Sequence, residues 1–130
     1  MNDLKNRMKQ FPVDTLRFCT KIPKGMEFQI IRGQLMRPGS SVGANYRAAC
    51  RSKSLSDFIN KLSIVEEEAD ESAFWLEILH ESGMTKSSER TRLEGEANQL
   101  VAIMVSSKKT ARASEIKRPI SRALFETRNS

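Results

Sequence analysis

The chain has 130 residues and a net charge of +6, which is long enough for one domain with a real core and basic enough to favour anionic partners. It holds no apolar run of the about 18 residues that a membrane span needs, and its polar N-terminal stretch, MNDLKNRMKQ, is unlike a signal peptide. We therefore expect a cytoplasmic protein whose two cysteines, Cys19 and Cys50, are reduced and pack as small apolar side chains.

Charge is divided into blocks along the chain. Residues 1–53 hold 11 Lys/Arg against 3 Asp/Glu, residues 54–83 hold 1 against 8, and residues 84–130 hold 10 against 5. Neighbouring blocks of opposite sign favour segments that face each other. Basic faces also suit nucleic acid, so a self-neutralising bundle and a polyanion-binding protein both fit this pattern.

The first predicted helix covers residues 3–22, where apolar residues such as Leu4, Met8 and Phe18 recur at helical spacing. Pro12 interrupts this pattern, so either the helix kinks there or the main helix begins there. The stretch Pro23-Lys24-Gly25 predicts the turn that follows.

The second segment, residues 26–53, contains the unusual stretch MRPGSSVGANYR. It lacks the glycine-lysine pair of a phosphate-binding loop, and no predicted strand precedes it. Gly39 and Gly43 lie one turn apart and would let another backbone approach closely. We expect one long helix bent near Pro38, and two short helices joined by a tight turn are the alternative.

The third segment, residues 54–82, is the clearest helix, with an apolar stripe from Leu55 to Leu79, a cap at Ser54 or Ser56, and a stop at Gly83. The fourth, residues 86–112, has a similar stripe and a cap at Ser87 or Ser88. Four long helical segments with short connections predict an all-α, up-down-up-down antiparallel four-helix bundle over residues 1–112. We expect residues 113–130 to form a basic, flexible C-terminal tail.

Five carboxylates fall within residues 66–71, and a packed helix cannot expose all of them. The preceding segment carries arginines and must run antiparallel beside this run, so we predict a structural polar network that fixes the register of the helices. A solvated acidic face is the alternative. The predicted network consists of Arg37, Asn45, Arg47, Arg51, Glu67, Glu68 and Glu71.

No pattern of catalytic or metal-binding residues is complete. Glu77 and His80 have the spacing of a metal-binding pair, but a di-metal bundle needs two such pairs and this chain has one histidine. Both cysteines lie on apolar stripes, and Ser106 to Lys109 matches a serine-lysine motif without its companions. We therefore predict a protein that is not an enzyme and uses no metal or cofactor.

Nucleic-acid binding is the leading functional prediction, and a protein-interaction scaffold with no nucleic-acid role is the alternative. No aromatic stacking platform or RNA-binding motif is apparent, so binding should be electrostatic and steeply salt-dependent. The candidate contacts are Lys5, Arg7, Lys9, Arg17, Arg32, Lys108, Lys109, Arg112, Lys117 and Arg118.

Several pieces of the second and third segments together resemble a known family. They are Gln34-Leu35, Arg37, the stretch SVGANYR at residues 41–47, Asp57-Phe58, Lys61-Leu62, and the run from Glu67 to Glu71 that ends in Trp75-Leu76. Over roughly residues 5–105 the chain resembles the bacterial four helix bundle proteins encoded by intervening sequences in large-subunit ribosomal RNA genes.

This resemblance implies a left-handed antiparallel bundle that assembles as a ring, usually a homopentamer, with no established enzymatic activity. The accessory protein of diversity-generating retroelements looks like the same bundle and binds a reverse transcriptase and nucleic acid. The resemblance therefore also implies a protein partner of this type, besides RNA or DNA.

Overall fold

A computed structural model describes residues 2–85 and 87–117, with side chains described over 3–85 and 87–114. Four helices follow one another, α1 (Asn2–Thr20), α2 (Met26–Cys50), α3 (Leu55–Glu81) and α4 (Ser88–Lys117). The described part of the chain contains no strand. The predicted all-α class is confirmed.

The helices form a bundle in which each contacts its neighbours in chain order and α1 also contacts α4. Their contacts run in opposite directions, because Arg7 of α1 meets Glu96 of α4 whereas the later Asp14 meets the earlier Arg92. Likewise, Ser63 of α3 meets Lys108, which lies near the far end of α4. Neighbouring helices are thus antiparallel, and the four-helix bundle is confirmed.

One hydrophobic core runs along the bundle, and every helix contributes to it at the predicted spacing. Burial of these side chains is what stabilises helices of this length, which would be marginal in isolation. The fully buried large side chains of the core include Met8, Phe11, Leu35, Val42, Leu62, Leu76, Leu93, Leu100 and Met104.

Both internal prolines lie within continuous helices. α1 passes through Pro12, so the alternative in which the main helix begins there is wrong. α2 passes through Pro38, so the two-helix alternative for residues 26–53 is wrong as well. The hydroxyls of Ser40 and Ser41 donate to the carbonyls of Met36 and Arg37, just before the proline, at 2.7 and 2.9 Å. The bend predicted near Pro38 stays a prediction.

The structure shows which of the predicted serines cap α3 and α4. The Ser54 hydroxyl accepts a hydrogen bond from the Asp57 N–H at 3.0 Å, and the Ser87 hydroxyl accepts one from the Arg90 N–H at 3.1 Å. Gly83 has a φ of 73°, the left-handed conformation that its predicted role after α3 requires. α4 continues to Lys117, past the predicted boundary at residue 112, and the rest of the predicted tail lies outside the described residues.

The described helices include none with the length and apolar character that crossing a bilayer would require.

Candidate nucleic-acid interface

Two glycines of α2 bring this helix unusually close to α1. A Cβ atom on Gly39 would lie 2.5 Å from Cγ2 of Thr15, and one on Gly43 would lie 2.6 Å from the carbonyl oxygen of Met8. Real Cβ atoms do not approach other atoms within 3.0 Å, so only glycine fits this packing without a shift of its neighbours. α1 and α2 are therefore in direct contact, and we call the line along which they meet the α1–α2 seam.

A groove of about 720 Å³ lies along this seam, and we call it the α1–α2 groove. Its lining contains four cationic side chains and no aspartate or glutamate. The cations are Lys5 and Lys9 from α1, Arg47 from α2, and Arg51, which directly follows α2. The other lining residues are Met8, Pro12, Val13, Ser40, Gly43, Ala44, Tyr46 and Cys50.

The four cations form two pairs, one on each wall of the groove. Lys5 and Lys9 are one helical turn apart, about 6 Å along α1, and Arg47 and Arg51 have the same spacing in sequence. All four side chains are exposed. None forms an ion pair with any residue in the described ranges. The groove therefore presents unneutralised positive charge.

Tyr46 and Cys50 lie together in the groove, and both are half-buried. Burial, with a smaller effect from the Cys50 thiol, raises the pKa of Tyr46 to about 12. The phenol thus stays neutral at physiological pH and adds no negative charge beside the four cations.

Three of the predicted nucleic-acid contacts instead hold the bundle together. Arg7 pairs with Glu96 at 2.8 Å, and this hydrogen bond is the main cause of its raised pKa. Arg32 donates to the carbonyl of Cys19 near the end of α1 and to those of Ile22 and Pro23 in the turn that follows. Lys108 pairs with Glu66 at 2.7 Å and donates to Ser63 at 3.1 Å. These cations are already engaged.

The remaining predicted contacts fall in different places. Lys5 and Lys9 line the α1–α2 groove. Arg17, Lys109 and Arg112 are exposed but do not line it. The side chain of Lys117 and the whole of Arg118 lie outside the described residues.

The acidic run of α3 divides its contacts between two neighbouring helices. Arg37 of α2 forms a hydrogen bond with Glu71 and lies 3.5 Å from Glu68. The bond to Glu71 is the main cause of the raised pKa of Arg37. Glu66 faces the other way and pairs with Lys108 of α4. Arg37, Glu68 and Glu71 are thus in contact, and the prediction that these contacts fix the register of the helices stays a prediction.

The other members of the predicted network lie elsewhere. The Asn45 amide donates to the carbonyl of Ser41 in its own helix, and Glu67 is exposed. Arg47 and Arg51 lie about 15 and 21 Å further along α2 than Arg37. Because α3 runs antiparallel, its first turns lie beside these two arginines, and residues 66–71 lie beside Arg37. Arg47 and Arg51 line the groove instead. Sequence reasoning missed this role, although the matching four-residue spacing of Lys5/Lys9 and Arg47/Arg51 was a usable signal.

The described residues also bear on metal and thiol chemistry. Within them, no three His, Cys, Asp or Glu side chains come together as a group that could hold a metal ion. Glu77 and His80 are both exposed on α3. Burial raises the pKa of the Cys19 thiol to about 11, so this thiol is protonated near neutral pH.

Fold and site together define a class of protein, an all-α antiparallel four-helix bundle with a cationic groove between its first two helices. A family model described as 23S rRNA-intervening sequence protein matches residues 2–106, and the chain therefore belongs to that family. This confirms the resemblance found in the sequence.

One similar solved structure is a protein of unknown function from the S23 ribosomal protein family of Bacteroides thetaiotaomicron VPI-5482. It is 27% identical, with a TM-score of 0.72, and the match covers 81% of this chain and 97% of that one. No curated protein matches the chain.

Proposed function

We propose that this protein is not an enzyme and that it binds RNA or DNA electrostatically through the α1–α2 groove. The observation that supports the proposal is a groove lined by four exposed cations, with no carboxylate in its lining. Lysine and arginine side chains in such a position neutralise phosphates and release condensed counterions. They read no base sequence in doing so, and binding is therefore weakly sequence-selective.

The number of groove cations sets the expected salt dependence. If each of the four neutralises one phosphate, the logarithm of the binding constant should fall with the logarithm of salt concentration with a slope of about −3 for a single strand. Such a slope corresponds to a loss of affinity of about 50-fold between about 50 and 200 mM salt. This steepness separates binding in the groove from contact with one or two surface lysines.

The proposal is tested by removing the lysines of one groove wall. The double variant Lys5→Gln/Lys9→Gln should reduce the salt slope to about half, measured by fluorescence anisotropy with a labelled oligonucleotide. The matched control is Lys21→Gln/Lys24→Gln, which removes two exposed lysines from the turn between α1 and α2. We expect this control to keep the wild-type slope. Equal losses in the two variants, or no binding by the wild type at low salt, would contradict the proposal.

We also propose that the protein is a homo-oligomer, most simply the pentamer that the family resemblance implies. The bundle leaves large apolar side chains exposed on α2 and α3, with exposed fractions of 77% for Met26, 60% for Ile30 and 50% for Phe74. Apolar side chains of this size favour burial against a partner. A ring of five subunits would also repeat the groove five times and raise the affinity for a long polyanion.

Light scattering on a size-exclusion column tests the assembly. The wild type should have a mass several times that of one chain, and Phe74→Glu should lower it. Ala102→Glu, at an exposed small side chain of α4, serves as the control and should keep the wild-type mass. A wild type that runs as a monomer would refute the oligomer. An oligomer that binds no polyanion at low salt would instead favour the protein-interaction scaffold, with a reverse transcriptase as one candidate partner.

A further inference from the structure

We infer that the α1–α2 groove takes a single strand of nucleic acid in preference to a duplex. This inference rests on the proposed function and concerns the chemistry of the same site.

The groove combines a charged rim with a floor that is mostly apolar. The rim consists of the four exposed cations, whereas the floor includes the buried Met8 and the half-buried Pro12, Val13 and Tyr46. Cations can hold the phosphates of either a strand or a duplex. The apolar floor and its one aromatic ring can contact a base only if that base is unpaired and can turn out of the nucleic acid. Duplex bases are paired and stacked inside the helix, so the floor would stay unused.

The size of the groove agrees with this choice. Its α1 wall extends from Lys5 to Val13, about 12 Å at the rise of a helix, a length that matches a few nucleotides of one strand. Because α1 and α2 touch at Gly43, a ligand lies along the surface of the seam and not between the helices. A duplex is wider than the about 8–10 Å between packed helix axes, so it contacts the rim and not the floor. One strand can lie along the groove with its bases turned inward.

The apolar surface continues past the end of the groove that lies opposite the four cations. Leu16 lies one turn beyond Pro12 on α1, and Met36 lies one turn before Ser40 on α2. Their exposed fractions are 39% and 37%, high for apolar side chains beside a core. Because α1 and α2 are antiparallel, both residues lie at the same end of the seam. They extend the base-contacting floor in the direction away from the four cations.

The experiment compares three probes on the whole chain by fluorescence anisotropy. The probes are a labelled mixed-sequence single strand, as DNA and as RNA, its blunt duplex, and inorganic polyphosphate as an unlabelled competitor. We expect the single strand to bind at least about fivefold more tightly than the duplex, since one stacked base is worth about five- to 150-fold. Polyphosphate, which has charge but no bases, should compete weakly at equal phosphate concentration.

Two variants separate this inference from the proposed function. Tyr46→Leu removes the ring but keeps apolar bulk. It should weaken single-strand binding by about fivefold or more, whereas the affinity for polyphosphate, derived from the competition, should not change. Tyr46→Phe should behave as wild type. Ala44→Glu places a carboxylate in the groove and should weaken binding of every probe, whereas Ala102→Glu, at an exposed position of α4, should not.

A second measurement uses the unmodified chain, in case the Tyr46 variants lose stability. Cys50 lines the groove, so a bound single strand should slow its alkylation by iodoacetamide and the duplex should not. Equal affinity for the single strand, duplex and polyphosphate, or equal protection of Cys50 by strand and duplex, overturns the single-strand inference and leaves the proposed function intact. An Ala44→Glu variant that binds every probe as the wild type does overturns both.

Discussion

Gly43 is the residue on which the close packing of α1 and α2 depends most directly. The atom nearest to an added Cβ there is the backbone carbonyl oxygen of Met8, which cannot move without the helix. At Gly39 the nearest atom belongs to the Thr15 side chain, which can adjust its rotamer only within a fully buried site. Overpacking at either position should push the two helices apart.

We expect Gly43→Ala to lower the free energy of unfolding by about 1–3 kcal/mol, because the added methyl group collides with backbone. Gly95→Ala is the matched control, since Gly95 is exposed within α4 and an added Cβ meets nothing within 4 Å. There the change should raise stability by up to about 1 kcal/mol through helix propensity. Urea unfolding followed by circular dichroism measures both. Similar stabilisation in the two variants would refute the close contact.

Individual cations were the hardest feature to assign from the sequence. A lysine or arginine looks the same in a sequence whether it meets solvent or a carboxylate from a distant helix. Arg7 finds Glu96 and Lys108 finds Glu66 only after the bundle has formed. Arg32 is engaged by backbone carbonyls, which composition cannot indicate. Of the four groove cations, the sequence therefore indicated Lys5 and Lys9 as candidate contacts, but not Arg47 and Arg51.

At the scale of the element, α3 has both of its ends specified by short local signals. The Ser54 hydroxyl satisfies the Asp57 N–H at its start, and Gly83 adopts a left-handed conformation after its end. Such signals depend on a few adjacent residues, which is why sequence alone could indicate them.

Ser54→Ala should destabilise the protein by about 1 kcal/mol, because the first turn of α3 loses a hydrogen-bond acceptor for one of its free N–H groups. Ser56→Ala tests the rejected alternative at an exposed position inside the same turn, and it should be neutral or slightly stabilising. Thermal unfolding of the two variants side by side makes the comparison. A larger loss in Ser56→Ala would reassign the cap.

Helix length was less predictable where apolar spacing is sparse. The prolines made α1 and α2 ambiguous, since the sequence does not show which neighbouring groups compensate for the lost N–H. α4 extends past residue 112, and its buried Ala111 shows that the helix still packs on the bundle near that point. One alanine among polar residues is too weak a hydrophobic pattern to predict where α4 ends.

At the scale of the whole molecule, the order and direction of the helices followed from four long periodic segments with short connections. The pairing of the acidic run did not follow, because it depends on register. An antiparallel neighbour brings only one region of α2 beside residues 66–71, and that region contains Arg37 but not Arg47 or Arg51. Resolving the register required the packed structure.

The contact between α1 and α4 predicts how stability depends on pH. Arg92 bridges Asp14 of α1 and Glu89 of its own helix, and its hydrogen bond is the main cause of the lowered pKa of Glu89. A carboxyl with a lowered pKa in the folded state stabilises the protein above its ordinary value of 4.5, and this contribution is lost as the pH falls through the lowered value.

Glu89→Gln should therefore lose less stability than the wild type between neutral pH and about pH 3, by under about 1 kcal/mol because the pair is largely exposed. Glu77→Gln, at an exposed carboxylate with no ion pair in the described part of the chain, should follow the wild type. Chemical unfolding at the two pH values gives the differences. A Glu89→Gln curve parallel to that of the wild type would contradict the assignment.

The separation of charge between α3 and the first half of the chain has an effect beyond the contact surface. α1 and α3 occupy opposite corners of the bundle, and within the described residues no Cα atom of one lies within 8 Å of a Cα atom of the other. Residues 1–53 carry an excess of lysine and arginine, and residues 54–83 an excess of carboxylates. The protein is consequently an electric dipole directed across the bundle, and a polyanion at a distance would exert a torque on it. Under the proposed function, this torque would turn the groove toward the polyanion and the acidic α3 away from it.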